Sequence, residues 1–311
     1  MKAICVTLNP ALDKYLYLNA LQVDALNRTD RSIPMSAGGK GINVARALTV
    51  LGDKAINLFL SGGSTGKLLE RLLHTEGQIT VVTETVAQTR LNVKVVTPDS
   101  YTEINEKGGP VSPKEAAAAF FSYESVLEGE KPDCVVISGS IPTGMDTNIY
   151  RRMLERAKQA GILTMLDCDG ISLKKGMETK PFLIKPNLDE LRGLTGKSLE
   201  NLDEIISICR ELYRESGTVV LCTMGAKGAV LAGEEGVYTI TAPCVNAQFP
   251  AGAGDCFLAG FLSAYFHRET PEESLIKAVQ MASGKLESPD GLPGPLEKEK
   301  YRSQIVCKKI S

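Results

Sequence analysis

Tryptophan is absent from this 311-residue chain, histidine occurs only at His74 and His267, and no apolar run approaches the roughly 18 residues that a membrane helix requires. Two histidines leave a zinc centre or a histidine-based nucleophilic triad almost nothing to be built from. The eight cysteines (Cys5, Cys134, Cys168, Cys209, Cys222, Cys244, Cys256 and Cys307) form no CxxC pair, and several stand inside apolar runs. They read as buried, reduced thiols. An excess of one charge is also missing. With 35 Lys and Arg against 37 Asp and Glu the net charge is −2, so neither nucleic acid nor a membrane surface is an expected partner. No basic leader or signal-like apolar core precedes the first strand pattern, AICVTL, and the cytoplasm is the default location. What remains is a soluble globular composition, 43% hydrophobic and 23% charged, long enough for one large α/β domain or two ordinary ones.

Glycine is where the chain is rich. The stretch from Gln248 to Phe266, QFPAGAGDCFLAGFLSAYF, runs Gly252-Ala253-Gly254 into an apolar spacing (Phe257, Leu258, Phe261, Leu262, Tyr265) that predicts one face of a helix. First-turn N–H groups have no intrahelical partner and carry the positive end of the helix dipole, so this junction favours an anion such as phosphate. Asp255 reads as a helix cap or as a catalytic carboxylate; capping alone does not explain why bulk is cleared just before it. A second cluster, SAGGKGINVARALTVLG at 36–52, places Gly38, Gly39 and Gly41 around Lys40 before a helix that ends at Gly52. A tight turn alone rarely needs three glycines, and a ligand site is the favoured reading. GGSTGKLL at 62–69 imitates a P-loop but has Ser61 and Leu68 where that pattern needs glycine and a hydroxyl, so a plain helix running to His74 is expected.

Along the chain, TRLNVKVVTP from Thr89 alternates Leu91, Val93 and Val95 with Arg90, Asn92 and Lys94, predicting a half-exposed sheet with one charged face. Short strands and a loop with Asn27-Arg28 are expected over 13–35. After a helix at 113–127, strands at 134–140, 162–167, 181–187, 218–231 and 236–240 alternate with helices at 147–160, 188–195 and 202–216. A terminal helix and strand are expected from Leu296. This order predicts a mainly parallel sheet with helices on both faces and ligands beyond the carboxyl ends of its strands. Asp13, Ser138, Asp167, Lys185, Asn187 and Thr223 all come just after apolar strand runs and could converge on one rim.

TLNPALD (7–13), GGKGINVA (38–45), SGSIP (138–142), KPNLDE (185–190) and GAGD (252–255) together resemble the PfkB branch of the ribokinase-like sugar kinases, in that family's order and spacing over nearly the whole chain. Within the family the chain is most similar to the sugar-phosphate kinases, bacterial 1-phosphofructokinase and tagatose-6-phosphate kinase, with TRLNVK and TEIN favouring the former. The resemblance implies a large nucleotide-binding α/β domain (1–12, 38–88 and 108–311) and a small β lid over the sugar site (13–37 and 89–107), through which a homodimer is expected. It implies ATP as phosphoryl donor with Mg2+, Asp255 as general base, and an anion hole from the N–H groups of Gly252, Ala253, Gly254 and Asp255. Acceptor contacts are expected from Asp13, Gly38, Gly39, Asn43, Asn92 and Ser138, with Lys40, Arg90 and Arg28 holding the acceptor's phosphate. Lys185, Asn187, Glu190, Thr223, Gly225, Gly228, Ala282 and Ser283 are the nucleotide-side residues, magnesium lying near Asn187 and Glu190 without direct protein ligands. One departure stands out: relatives carry a hydroxyl residue before GAGD, where this chain has Phe249-Pro250-Ala251. Transfer to D-fructose 1-phosphate is the expected activity, tagatose 6-phosphate the alternative acceptor, and a non-catalytic nucleotide or sugar-phosphate sensor the alternative of another class.

Overall fold

The computed structural model describes residues 1–247, 249–288 and 300–310. Uninterrupted apolar runs such as Ile4 to Val6 and Cys134 to Ile137 lack strand alternation because helices cover both of their faces. They lie in the middle of a ten-stranded sheet. Its order from one edge is Cys307–Lys309, Gly236–Ile240, Ala229–Gly233, Val219–Thr223, Leu183–Ile184, Leu163–Asp167, Cys134–Ser138, Lys2–Thr7, Lys54–Gly62 and Ile79–Thr85. Neighbours from Val219–Thr223 to Ile79–Thr85 pair in parallel, and the first three strands pair antiparallel. Along Lys2–Thr7, Ile4 and Val6 enter one buried layer with Tyr123 and Met153, and Ala3 and Cys5 enter the other with Leu48 and Leu258. From this strand the chain builds outward one way and then restarts on the other side at Cys134–Ser138. That reversal of strand order marks the place where open α/β sheets bind ligands.

The helix Ala253–Phe266 departs from the single apolar face expected of it: every residue from Asp255 to Ala264 is buried. It lies among the sheet, the helix Lys40–Val50 and the helix Pro271–Glu287, and a helix packed on every side is apolar all round. A Cβ on Gly260 would come within 2.8 Å of the Lys277 carbonyl, so a small residue is what lets these backbones approach. The strand expected over 181–187 is only Leu183–Ile184, because Pro186 has no N–H to donate; beyond it a single bridge links Asn187 to Thr223. Six cysteines are buried, but Cys244 is exposed and Cys307 half-buried. At the C-terminal end, 296–299 lie outside the described residues; beyond them come a 3-10 turn, Arg302–Gln304, and the strand Cys307–Lys309.

A second, five-stranded sheet comprises Ala11–Tyr17, Arg31–Ser32, Ser36–Gly38, Arg90–Val96 and Tyr101–Asn105. Its charged face is not the exposed one. Asn92 and Lys94 are only 6% and 3% exposed, and on the same face Tyr15 meets Phe249 edge-on with ring centroids 5.6 Å apart. Leu12 and Leu91, on the opposite face, pack with Ile42, Phe59 and Leu69.

Candidate active site

The two glycine-led helices meet. Gly252 takes a left-handed conformation (φ 83°) and starts the helix that carries Asp255; Gly39 (φ 122°) starts the helix that carries Lys40 and Asn43. Asn43 Nδ2 donates to Asp255 Oδ2 at 2.8 Å, which joins the helix starts. Burial and the nearby Asp167 charge push Asp255 up to about 6, opposed by Lys40 and by the Asn43 hydrogen bond. Of the four cradle amides, Ala253 N–H donates to the Pro250 carbonyl (3.2 Å) and Asp255 N–H to the Gly252 carbonyl (3.1 Å). Those of Gly252 and Gly254 have no acceptor among the described residues, so two amides rather than the four expected are left to meet a ligand.

Asp167 ends the strand Leu163–Asp167 and is fully buried between two lysines: Lys40 Nζ is 3.0 Å from Oδ1 and Lys185 Nζ 3.2 Å from Oδ2. Burial alone would raise its pKa, but the two ammonium groups prevail and hold it below the usual carboxylate value. Lys40 also lies 3.4 Å from Glu190 Oε1. Its pKa is raised: burial works against the charge, and Asp167, Glu190 and Asp255 outweigh burial. Lys40, expected to hold the acceptor's phosphate, is thus paired with two carboxylates, one of them the nucleotide-side Glu190. A buried carboxylate needs counter-charges, and Lys40 is one of them. Asp167 is the residue to which sequence reasoning gave no role; its only signal was a carboxylate closing an apolar strand.

Around the acceptor side, Asp13 and Asn92 stand opposite each other on parallel strands, with Asn92 Nδ2 donating to Asp13 Oδ1 at 3.0 Å. Burial raises the Asp13 pKa, opposed by Lys94. A Cβ on Gly38 would lie 2.6 Å from Asp13 Oδ2, so glycine there leaves the carboxylate room. Lys94 pairs with Glu103 at 2.8 Å and reaches Asn105 Oδ1 at 3.1 Å. The Arg90 guanidinium donates to the Asn9 carbonyl (3.0 and 3.2 Å) and the Glu106 carbonyl (3.0 Å), contacts that orient it without neutralising it. Two expected residues are not gathered in. Ser138 is fully buried, behind the site surface, and Arg28 is exposed in the loop between Tyr17 and Arg31 with no hydrogen bond or ion pair among the described residues.

On the other side of Gly254 lies a cleft of about 540 Å³ whose walls include Asn187, Thr223, Gly225, Gly228, Ala282 and Ser283. Its volume is in the range of small-molecule sites. Asn187 and Glu190 form a capping box: Asn187 Oδ1 accepts from Glu190 N–H (2.8 Å) and Glu190 Oε2 from Asn187 N–H (2.9 Å). Gly228 (φ 91°) is a packing requirement, since a Cβ would sit 1.8 Å from the Ile240 carbonyl oxygen. Lys185 stands between cleft and cradle, its Nζ 3.5 Å from where a Gly254 Cβ would be. A larger hollow of about 640 Å³, between Phe182, Tyr265 and Glu234, opens near the amino ends of the strands and holds none of these residues.

A family model described as pfkB family carbohydrate kinase matches residues 6–297. The chain is 35% identical over 280 residues to 1-phosphofructokinase of Bacillus subtilis (strain 168), covering 89% of this chain and 90% of that one. A possible 1-phosphofructokinase from Thermotoga maritima superposes with a TM-score of 0.90 at 27% identity over 100% of both chains. Phosphofructokinase-2 from Escherichia coli, solved with substrates and products, superposes with a TM-score of 0.89 at 25% identity over 98% of this chain and 99% of that chain.

Proposed function

From the premise that this chain belongs to the pfkB family of carbohydrate kinases and is a phosphotransferase acting on a sugar hydroxyl, we propose that it moves the γ-phosphoryl group of ATP to the 6-hydroxyl of D-fructose 1-phosphate. The observation that carries this reading is Asp255, a buried carboxylate pushed up to about 6, beside the amides of Gly252 and Gly254, which have no acceptor among the described residues. The sugar hydroxyl gives its proton to Asp255 as its oxygen attacks the γ-phosphorus, and the bond to the β–γ bridging oxygen breaks to release ADP. Charge gathers on the transferred phosphoryl oxygens, where the two amides and the helix dipole receive it. Lys185 and Lys40, paired with Asp167, set their ammonium groups beside the same junction. Asp13 and Asn92 orient the sugar hydroxyls, and Arg90 takes the acceptor's phosphate with the guanidinium N–H groups left free by Asn9 and Glu106. The small sheet acts as a lid that keeps water from the phosphoryl group.

ATP occupies the cleft beside Gly254, with its sugar and base toward Gly228, Ala282 and Ser283. Magnesium fits as a nucleotide-borne ion. Both Glu190 oxygens are engaged, by Lys40 and by the cap, and no group of three or more potential ligands occurs among the described residues. Nucleotide phosphates and water would supply its coordination, with Asn187 and Glu190 nearby.

Magnesium-dependent ADP release, measured with fructose 1-phosphate, tagatose 6-phosphate and fructose, is expected to give the highest kcat/KM with fructose 1-phosphate. Preference for tagatose 6-phosphate would move the assignment to the epimeric acceptor. A preference for the neutral sugar rejects the phosphate-holding role of Arg90. A homodimer through the small sheet is supported by Val23, Leu26 and Ile104, which are 84%, 75% and 58% exposed on that sheet and its adjoining loop. Sedimentation equilibrium should give a dimer mass that Val23→Glu with Leu26→Glu reduces to a monomer; a monomeric wild type rules the contact out. No helix among the described residues is long and apolar enough to cross a membrane.

A further inference from the structure

Lys285, on the helix Pro271–Glu287, is 4% exposed and has no carboxylate partner among the described residues. Its ammonium donates to the Phe249 carbonyl at 3.4 Å and stands 5.9 Å from the Phe249 ring centroid. Its Cε lies 3.4 Å from the position a Cβ on Gly252 would take, directly behind the turn that opens the phosphoryl cradle. The other buried lysines of the site are paired, Lys185 with Asp167 and Lys94 with Glu103. A lone ammonium held by one long carbonyl contact weakens a fold, and an apolar side chain of similar length would remove that burden. Burial pushes the Lys285 pKa below its usual value. Arg46 adds to this, while Cys256, Asp255 and Asp13 act against it.

The local sequence shows what the ammonium does there. Pro250 has no N–H and Ala251 no hydroxyl, so the segment entering the cradle offers few donors, and Ala253 and Asp255 N–H groups are already engaged. We propose that Lys285 is a positioning residue for phosphoryl transfer, a fixed positive charge behind Gly252 that strengthens the cradle's hold on the transferring group while anchoring the Phe249 carbonyl. The inference rests on the kinase reading above. Because charge on the phosphoryl oxygens is greatest at the transition state, the ammonium acts on kcat more than on KM.

The test is Lys285→Met, with Lys285→Arg as the conservative variant. For Lys285→Met, kcat is expected to fall about tenfold or more with both KM values unchanged, a smaller effect than loss of a direct anion-hole donor. Its Tm should rise, and Lys285→Arg should recover part of the lost kcat. Magnesium, ADP and aluminium fluoride, which together mimic the transferring phosphoryl group, should bind Lys285→Met about tenfold more weakly than wild type, with ADP alone unaffected. That binding measurement decides the inference even where the wild type shows no turnover on fructose 1-phosphate, a result that would count against the kinase reading itself. A Lys285→Met variant with wild-type kcat and fluoride affinity overturns the proposal. So does one whose kcat and Tm fall together without recovery in the arginine variant, which is the mark of a packing role. Should the methionine variant fail to fold, Lys285→Gln is read by the same criteria.

Discussion

Asp255→Asn is expected to bind ATP and the sugar phosphate as the wild type does while kcat falls by about 10³-fold, within the usual span for loss of a general base. The substitution keeps the side chain's size and an oxygen for the 2.8 Å bond from Asn43, so the cradle geometry is preserved. What disappears is the proton acceptor. In the wild type, kcat/KM should fall as the pH drops through about 6, where the buried carboxylate takes up its proton. Stability moves the other way. The folded-state pKa of Asp255 is raised above its ordinary value of 3.8, so its favourable contribution is complete only below that value and is lost as the pH climbs through about 6. At pH 8 the ionised carboxylate therefore weakens the fold, and Asp255→Asn should be more stable than wild type by on the order of 1–3 kcal/mol in denaturant titrations. A variant with undiminished turnover removes Asp255 from the proton transfer.

Asp167→Asn should be the most destabilising conservative change in the site. Asp167 is fully buried and balances both Lys40 and Lys185, the latter only 5% exposed. Removing one partner of a buried pair leaves an uncompensated charge, at a cost of about 3–5 kcal/mol. The pH dependence has the opposite sign from that of Asp255. The folded pKa of Asp167 is lowered, so its contribution is present above the ordinary carboxylate range and lost as pH falls through the lowered value. Its charge also raises Asp255, so the acidic limb of kcat/KM should move to lower pH in the variant. Wild-type stability in urea together with an unmoved limb would show that the two carboxylates are not linked as described.

How much of this the sequence carried depends on the range of the interaction. Strand and helix order was legible because apolar runs and caps are local: Asn187 and Glu190 sit three apart, and their capping box opens the helix Leu188–Thr195 within the expected 188–195. The glycine clusters also announced themselves, since Gly38 and Gly252 are places where a side chain would meet Asp13 or Asn43. The direction in which a charged side chain turns was not legible. Lys40 finds Asp167 127 residues away, and the small sheet's charged face is buried where Tyr15 meets Phe249 and Lys94 pairs with Glu103. Occupancy of the cradle amides was equally hidden, because whether Ala253 N–H faces a ligand or the Pro250 carbonyl is decided by the turn itself. Lys285 carried no signal at all beyond being one more lysine on a helix.

The most direct test of Asp255 as the base beside an amide cradle is a crystal structure of Asp255→Asn with magnesium, ATP and fructose 1-phosphate, a pair the inactive variant should hold without consuming. The sugar 6-hydroxyl is expected within about 3 Å of residue 255, in line with the γ-phosphorus, and a γ-phosphoryl oxygen on the amides of Gly252 and Gly254. A γ-phosphate lodged away from those amides, or a sugar whose hydroxyls turn from residue 255 toward Asp13 alone, would contradict it.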